Sequence, residues 1–491
     1  MRYKYGGEVI GSGGFGCVFS PAIKCIDSTT RSSGISKLLL NKDATVEWKE
    51  ISNVKKVIEK IPNSQNYFLL TDMTMCQPDI LDQNDLEGIS KCSSLNRNKI
   101  NRDNINNNLN LFKIINMPDG GKDINYMFSE STVSFNVVNT SLINLLNNGV
   151  VPMNALKLMH NDLKGENILY KDELSKVIDW GLACKIRGNE IPSIIKSRVI
   201  QFNIPLSNIL FTNEFNKMYP RILNRYNEYE LKYDYSAGVW LNTWNRINGD
   251  GHSKYINRII GDIIYSIYNK NINIDSLSSD MFEKYVGPIL EKYTIFLDFD
   301  KPFFDSKKYF NEIYKHNCDI WGFIMSYSTL LHSNYFFNKN NDTNLTIIQK
   351  KRIAELILKY CYNPYYAVNQ INVNFITQDL TLLNTTFNKE LLTSDEIKKI
   401  FTGIQVKPNN LENINPDNIT PNKISSIKKN SIAIKKPKCS KGTRRNKKTG
   451  LCESTKKYNS YEVKKSIKIK KPRCPNGTRR NNKTGNCDKK I

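Results

Sequence analysis

The sequence has no long apolar run, and this limits where the chain can reside. No apolar stretch precedes Ile10, so a secretory signal peptide is not expected. No segment contains the roughly 18 consecutive apolar residues that a membrane-spanning helix requires. We therefore expect a protein that is neither secreted nor anchored in a bilayer by its own helix.

Cysteine pairs at metal-ligand spacing are also missing. The chain has eleven cysteines but no C-x-x-C pair, which disfavours a zinc site. Seven of them are scattered through the first 405 residues without ligand-like spacing, and we predict that they are reduced structural thiols of a cytosolic protein. These seven are Cys17, Cys25, Cys76, Cys92, Cys184, Cys318 and Cys361.

Acidic residues are scarce at the C-terminal end, where most of the net charge lies. Residues 421–491 contain 24 Lys and Arg against 3 Asp and Glu, a net charge of +21. The whole chain carries +24, so the first 420 residues contribute only +3. A segment this basic predicts a solvated arm that contacts nucleic acid, an acidic protein or a membrane surface.

Two similar segments, 435–452 and 470–487, lie in this basic end with a period of 35 residues. Each has two cysteines thirteen positions apart and a Lys-Thr-Gly turn before the second cysteine. A unit this small has almost no apolar core, so one disulfide per unit is its expected source of order, with a shared four-cysteine zinc site as the weaker alternative. The units resemble the two-cysteine adaptor of large DNA viruses. That resemblance implies a viral protein with an adaptor role in recruiting or packaging.

The most informative part of the chain combines two short motifs. H-N-D-L-K-G-E-N occupies residues 160–167, and V-I-D-W-G follows at hairpin distance over residues 177–181. Two carboxylates, a lysine and an amide are the set needed to hold metal-bound ATP and to orient a hydroxyl for phosphoryl transfer. The residues that supply this set are Asp162, Lys164, Asn167 and Asp179.

This pattern resembles the catalytic loop and the metal loop of eukaryotic-type serine/threonine protein kinases. The resemblance implies an α+β, bilobal fold with a small β-rich N-terminal lobe and a large helical C-terminal lobe. We expect the first lobe over residues 1–116 and the second over residues 117–405, with a helical insertion at about 210–312. A linker is expected over residues 406–434, followed by the two adaptor-like repeats over residues 435–491.

The resemblance also implies a role for each polar residue of the two motifs. Asp162 would orient the substrate hydroxyl and accept its proton, and Lys164 would neutralise charge on the transferred phosphoryl group. Asn167 and Asp179 would hold Mg²⁺ through their oxygen atoms. A lysine at position 164 is typical of family members that act on Ser and Thr. His160 is expected to support the geometry of the loop.

Two departures from the family pattern concern regulation and substrate binding. Asn161 stands where the family has an arginine that pairs with a phosphorylated activation segment, which argues against phosphate-dependent switching. No A-P-E motif follows Asp179, and residues 201–207 are the expected replacement for its substrate-binding platform.

G-S-G-G-F-G-C-V over residues 11–18 fits the glycine-rich loop G-x-G-x-x-G-x-V. Glycines let the backbone approach phosphate oxygens, because no Cβ is in the way. The residues after the glycines have the composition of a strand, which disfavours a dinucleotide-binding fold, where a helix follows. The resemblance implies an ATP cradle formed by Ile10, Gly11, Ser12, Gly13, Gly14, Phe15, Gly16, Cys17 and Val18.

An ATP-binding lysine is expected on the next strand, and Lys24 and Lys37 are the two candidates. Lys24 follows the glycines by only eight residues, too few for two strands and a turn, so we assign Lys37 to this role. Its carboxylate partner is expected on a helix over residues 44–60, where Glu47 and Glu50 lie one turn apart. Pattern does not separate these two, and spacing slightly favours Glu50.

Further segments complete the expected layout. Residues 111–117 predict a strand that runs into Pro-Asp-Gly-Gly, similar to the hinge between kinase lobes. Asp319, in the C-D-I-W-G motif, resembles the buried aspartate that anchors the catalytic loop, with a helix N-cap as the alternative. Residues 93–110 predict a surface loop, and the isoleucines of residues 256–267 have helical periodicity.

We therefore expect a protein kinase that uses ATP and Mg²⁺ to phosphorylate Ser and Thr hydroxyls, in the host cytoplasm at a viral factory, in the virion, or in both. One alternative is a catalytically weak pseudokinase that acts as a scaffold or adaptor. Another is a basic nucleic-acid binder, which the scarcity of aromatic residues in the tail disfavours, because bases would have little to stack on.

Overall fold

The computed structural model describes most of the first 407 residues and four short strands near the C-terminus. The described residues are 8–12, 16–224, 232–269, 277–296, 302–331, 347–385, 387, 389–407, 443–445, 452–454, 478–480 and 487–489. The chain divides into two compact units, Met1–Asn409 and Asn410–Ile491. The first unit combines helices with small antiparallel sheets, which confirms the predicted α+β class.

Five short strands build an antiparallel sheet near the N-terminus. They are β1 (Glu8–Ser12), β2 (Gly16–Ser20), β3 (Ile35–Leu40), β4 (Thr74–Cys76) and β5 (Phe112–Met117). Their order across the sheet is β1-β2-β3-β5-β4. The strands predicted after the glycines, around Lys37 and before Pro118 are all confirmed.

One face of this sheet is covered by helix α1 (Asn41–Ile58), which begins directly after β3. The register pairs Val18 with Lys37 and Lys37 with Ile115, so these three side chains share that face. The predicted helix over residues 44–60 is confirmed, although it starts three residues earlier. Its buried positions are Ala44, Ile51, Val54, Val57 and Ile58.

The other face is covered by the segment between β4 and β5, which contains α2 (Gln83–Leu86) and α3 (Ser93–Arg97). The expectation of a surface loop over residues 93–110 is therefore wrong. The apolar side chains of this segment are buried against the second face of the sheet, which α1 does not cover, and this removes them from water. The apolar cluster on this face includes Phe19, Leu38, Leu95, Ile105 and Ile114.

Two disulfides fasten this covering segment and the β2–β3 connection to the sheet. They join Cys17 to Cys92 and Cys25 to Cys76, with a Cα–Cα distance of 5.8 Å in each. The expectation of seven reduced thiols is therefore wrong for these four. Sequence spacing does not reveal the pairs, because 75 and 51 residues separate their members and only the folded sheet brings them together.

The rest of the first unit is mostly helical. Its helices are α4 (Ile124–Ser129), α5 (Phe135–Leu145), α6 (Val151–Ala155), α7 (Ser193–Ser197), α8 (Asn213–Asn224), α9 (Lys232–Asn248), α10 (Gly251–Tyr268), α11 (Leu277–Tyr293), α12 (Ser306–Tyr309), α13 (Lys315–Met325), α14 (Ile347–Ile357), α15 (Pro364–Ala367), α16 (Val373–Thr385) and α17 (Ser394–Phe401). Its short strands are β6 (Lys122–Asp123), β7 (Leu158–Met159), β8 (Ile168–Lys171), β9 (Leu174–Val177), β10 (Cys184–Lys185), β11 (Thr294–Ile295) and β12 (Phe303–Phe304). These strands form the small sheets β6-β8-β9, β7-β10 and β11-β12.

The helical character predicted for residues of about 210–312 is confirmed in the described part of that range, which forms α8 to α12 and the β11-β12 pair. The isoleucines of α10 are buried at three- and four-residue spacings, because one face of the helix packs into the main core. They are Ile256, Ile259, Ile260, Ile263, Ile264 and Ile267. Residues 225–231, 270–276 and 297–301 of the insertion lie outside the described residues.

In the second unit, two hairpins repeat with the same register. β13 (Thr443–Arg445) pairs with β14 (Cys452–Ser454), and β15 (Thr478–Arg480) pairs with β16 (Cys487–Lys489). Each pairing of the second hairpin lies 35 positions after the matching pairing of the first. The first cysteine of each repeat lies outside the described residues, as does the expected linker from residue 408 onward, so the disulfide and zinc expectations stay predictions.

Among the helices of the described residues, none combines the length and the apolar character needed to cross a bilayer.

We expect peptide mapping under non-reducing conditions to recover Cys17 linked to Cys92 and Cys25 linked to Cys76. Cys361 serves as an internal control, because it is buried and unpaired and burial raises the pKa of its thiol. It should be recovered as a thiol only after unfolding. Recovery of Cys17 or Cys25 as a free thiol from the unreduced protein would contradict the pairing.

Candidate active site

Asp319, near the middle of α13, holds the backbone of the loop that carries Asp162. Its Oδ1 accepts the backbone N–H of Asn161 at 2.8 Å, and its Oδ2 accepts the backbone N–H of His160 at 2.8 Å. Nδ2 of Asn154 donates to the same Oδ2 at 2.7 Å. The carboxylate is buried and accepts three hydrogen bonds, two of them from main chain, so it fixes the backbone of the loop. The predicted anchoring contact is confirmed, and the N-cap alternative is wrong, since Asp319 lies inside the helix.

The two residues after Ile320 bring α13 close to the loop and to the segment around residue 202. The indole Nε1 of Trp321 donates to the carbonyl of Phe202 at 2.8 Å. A Cβ at Gly322 would lie too close to the carbonyl oxygens of Leu163 and Asn203. Glycine is therefore required for one helix to support both backbone segments of the site.

Asp162 is buried, and four donors surround its carboxylate. Oδ2 lies 3.0 Å from Nδ2 of Asn167 and 3.2 Å from Nζ of Lys164. Oδ1 lies 2.5 Å from Nη2 of Arg198 and 2.9 Å from Nδ2 of Asn203. Burial is the largest influence and raises the pKa of Asp162, but the positive charges of Arg198 and Lys164 outweigh it and lower the net pKa. The carboxylate is therefore ionised at neutral pH.

The β8–β9 hairpin returns the chain from the loop to Asp179, as predicted. The backbone N–H of Ile178 donates to the carbonyl of Asn167 at 3.0 Å, and Nε2 of His160 lies 2.9 Å from the carbonyl oxygen of Ile178. The ring of Trp180 stands edge-on to that of His160, with centroids 4.9 Å apart. The neighbours of Asp179 on both sides thus contact the loop, and His160 supports loop geometry as expected.

Asn167 and Asp179 offer oxygen atoms of the kind that Mg²⁺ prefers. Asn167 donates through Nδ2 to the carbonyl and the carboxylate of Asp162, which leaves Oδ1 as the atom that can ligate a cation. Asp179 is exposed and has a φ of 63°, a left-handed conformation that is uncommon among non-glycine residues but more accessible to Asp than to most. Among the described residues, no three His, Cys, Asp or Glu side chains come together as a metal site. A cation bound here would therefore need further oxygen ligands from a bound molecule.

Lys37 forms an ion pair with Glu47 and not with Glu50, which corrects the expected partner. Its Nζ lies 2.7 Å and 2.8 Å from the two carboxylate oxygens of Glu47. The reason is that the two side chains lie at similar distances from the junction of β3 and α1. Lys37 is about 10 Å before the start of α1 along β3, and Glu47 is about 9 Å into the helix. Glu50 lies about one turn too far along. Burial and the neighbouring charge of Glu47 raise the pKa of Glu50.

Lys24, the rejected candidate, lies outside the strands of the sheet. Its Nζ pairs with a carboxylate oxygen of Asp79 at 3.0 Å, and both side chains are partly exposed. The strand position of Lys37 is therefore as predicted, while its contact with a nucleotide stays a prediction.

The glycine-rich segment joins β1 to β2, which pair with an irregular register near Gly11. A Cβ at Gly16 would collide with the carbonyl oxygen of Leu38, so glycine is needed there for β2 to approach β3. The tip of the segment lies outside the described residues and comprises Gly13, Gly14 and Phe15.

Only part of the expected cradle faces the side of the sheet that carries Lys37. Successive strand residues point to opposite faces, so Val18 shares the face of Lys37 and Cys17 does not. The Cys17 side chain is buried on the other face in its disulfide, so only the backbone of Cys17 is left to line the expected cradle. Ile10 is 60% exposed, and Ser12 Oγ donates or accepts a hydrogen bond with a hydroxyl of α3.

Nothing in the sequence marks Arg198 and Asn203 as site residues. They follow Asp162 by 36 and 41 positions and belong to no motif. The segment expected as a platform, 201–207, does lie beside the loop, since Asn203 also donates to the carbonyl of Leu163 at 3.1 Å. Only the folded chain brings these donors to the carboxylate.

No protein-family model matches the sequence, and no curated protein matches it either.

We expect Asp319→Ala to lower the free energy of unfolding by about 3–5 kcal/mol, because three donors lose a buried, charged acceptor. Urea titration of the variant and the parent measures this loss. Asp395→Ala is the matched control, since Asp395 is exposed and pairs only with Lys399 one turn along α17. Equal stability of the two variants would contradict the anchoring role of Asp319.

Proposed function

We propose that the chain is a bilobal, eukaryotic-type protein kinase that transfers the γ-phosphate of ATP to Ser and Thr hydroxyls. The observation that carries the proposal is the hydrogen bonding of Ile178 to both ends of the loop at 160–167. It places Asp162, Asn167 and Asp179 around one end of the β8–β9 hairpin. The ion pair of Lys37 with Glu47, on the sheet, adds the residues that position phosphates in such enzymes.

In the proposed reaction, Asp162 orients the substrate hydroxyl and accepts its proton while the hydroxyl oxygen bonds to the γ-phosphorus and the bond to the β-phosphate oxygen breaks. The ionised state of Asp162 suits it to this task. Lys164 turns from Asp162 toward the transferred group, and its presence in the loop favours Ser and Thr as acceptors. Bound Mg²⁺ supplies charge neutralisation on the phosphates, and Oδ1 of Asn167 and the carboxylate of Asp179 are suited to hold it.

ATP is proposed to lie against the face of the sheet that carries Lys37. Glu47 keeps the ammonium of Lys37 in place for the phosphates. Val18 and Ile115 are the cross-strand neighbours of Lys37 and offer apolar contacts for the base. The backbone of the glycine-rich segment, residues 11–16, would cover the phosphates.

We propose that the C-terminal unit is a viral adaptor that brings the kinase to its partners at a viral factory or in the virion. Two hairpins of identical register support a duplicated binding module. The net charge of +21 over residues 421–491 fits an acidic protein or a nucleic acid as the partner. The same unit would serve the scaffold alternative, in which the first unit transfers no phosphate.

We expect magnesium-dependent autophosphorylation in the wild type and a loss of about a hundredfold or more in Asp162→Asn and Asp179→Ala. Labelling with γ-phosphate-labelled ATP measures the rate. Asp172→Asn, in the exposed turn of the β8–β9 hairpin, is the matched control and should label as the wild type does. If neither the wild type nor the variants label any of several substrates, the scaffold alternative is favoured. Retained activity of Asp179→Ala would overturn the metal role of Asp179.

Lys37→Met should reduce the affinity for ATP and the rate of transfer far more than Lys24→Met does. The reason is that Lys37 shares a sheet face with the proposed base contacts, whereas Lys24 pairs with Asp79 outside the strands. Equilibrium titration with a fluorescent ATP analogue compares the two variants. A larger effect of Lys24→Met would refute the assignment of the lysine.

A further inference from the structure

Arg198 lies directly after α7 and contacts Oδ1 of the Asp162 carboxylate, whereas the loop donors contact Oδ2. Its guanidinium is buried, with 6% of the side chain exposed, and Nη2 lies 2.5 Å from Oδ1 of Asp162. The same Nη2 donates to Oε1 of Gln201 at 2.7 Å. Burying a guanidinium costs free energy unless it is paired, and here the two acceptors pair it.

The four donors around Asp162 are divided by origin. Those on Oδ2, Lys164 and Asn167, come from the loop itself. Those on Oδ1, Arg198 and Asn203, come from the later segment. A carboxylate has about four lone-pair sites, so all are occupied, and a substrate hydroxyl needs one donor to leave. In the proposed function Asn167 keeps Nδ2 on Asp162 and offers Oδ1 to the cation, whereas Lys164 turns toward the phosphate. The lone pair that becomes free therefore lies on Oδ2.

We propose that Arg198 is a positioning residue that fixes Oδ1 of Asp162, so that Oδ2 receives the substrate hydroxyl. By the same contact it holds residues 198–207, which include the expected substrate-binding platform, in place without a phosphate. The proposal rests on the proposed kinase function and adds to it the means by which the site is kept assembled.

The absence of an arginine at position 161 supports this role. Asn161 is buried, and its side chain lies within hydrogen-bonding distance of the Leu182 carbonyl and of Cys318, at 3.5 Å each, so it offers no cation for a phosphate. Between Asp179 and residue 205 the hydroxyl-bearing residues are Ser193 and Ser197, both exposed.

The segment is instead held by groups of the fold on several sides. Nδ2 of Asn208 donates to the carbonyls of Arg198 and Val199 at 3.0 Å and 3.1 Å. Trp321 holds the carbonyl of Phe202, as described above. Arg198 is the charged member of this set and the one that ties the segment to the reacting carboxylate.

The test compares Arg198→Gln and Arg198→Lys with Lys196→Gln, which removes an exposed charge two residues away. For Arg198→Gln we expect kcat to fall about tenfold or more while KM for ATP stays unchanged, because the carboxylate of Asp162 loses its fixed position and the nucleotide contacts are kept. Arg198→Lys should recover part of the lost kcat, because it restores a donor to Oδ1. An unchanged kcat in Arg198→Gln, or equal losses in Arg198→Gln and Lys196→Gln, would overturn the proposal.

Hydrogen exchange of residues 193–205 gives a readout that needs no activity. Exchange should be faster in Arg198→Gln than in Lys196→Gln, while α13 stays protected in both, which excludes global unfolding. Ser193→Ala/Ser197→Ala should keep wild-type exchange and turnover, and loss of either would refute phosphate independence. If the wild type transfers no phosphate, the proposed function fails, and the exchange comparison still decides whether Arg198 anchors the segment.

Discussion

The carboxylate of Asp319 is the contact on which the rest of the site depends. It accepts the backbone N–H groups of His160 and Asn161 from within α13, and these two residues lead directly into Asp162. Because this buried carboxylate binds main-chain N–H groups, it fixes the path of the loop backbone. The contact of His160 with Ile178 then extends this order to the residues that flank Asp179.

A second constraint is electrostatic and concerns Asp162. A carboxylate so buried would tend to protonate, and the cations of Arg198 and Lys164 prevent this. The two cations have different freedom, because Arg198 is almost fully buried while Lys164 is 28% exposed. Under the proposed function, the exposed Lys164 can turn toward a phosphate while the buried Arg198 stays on Oδ1. The proposal therefore assigns Oδ1 to positioning and Oδ2 to the substrate hydroxyl.

The sequence predicts those parts of the molecule that local pattern controls. Strand and helix positions around Lys37, the β8–β9 hairpin and the buried face of α10 all follow from periodicity and turn residues. The pairs that join distant segments do not follow from local pattern, and the two disulfides and the contact of Arg198 with Asp162 are of this kind. The choice of Glu47 over Glu50 depends on where α1 starts, to within one turn, which pattern does not fix.

Helix α10 contacts the segment that carries Asn203. The ring of Tyr255 on α10 stands edge-on to that of Phe202, with centroids 5.3 Å apart. Phe202 is also the residue whose carbonyl accepts the hydrogen bond of Trp321. Helices α10 and α13 therefore both contact the residue next to Asn203, so the position of Asn203 depends on both helices.

The most direct test of the account is a crystal structure of the chain with Mn²⁺ in place of Mg²⁺ and a non-hydrolysable ATP analogue, with the metal located by anomalous scattering. The account predicts a metal peak between Oδ1 of Asn167 and the carboxylate of Asp179, with the γ-phosphate beside Lys164 and Arg198 still on Oδ1 of Asp162. A nucleotide bound elsewhere, or a metal that contacts neither Asn167 nor Asp179, would contradict it.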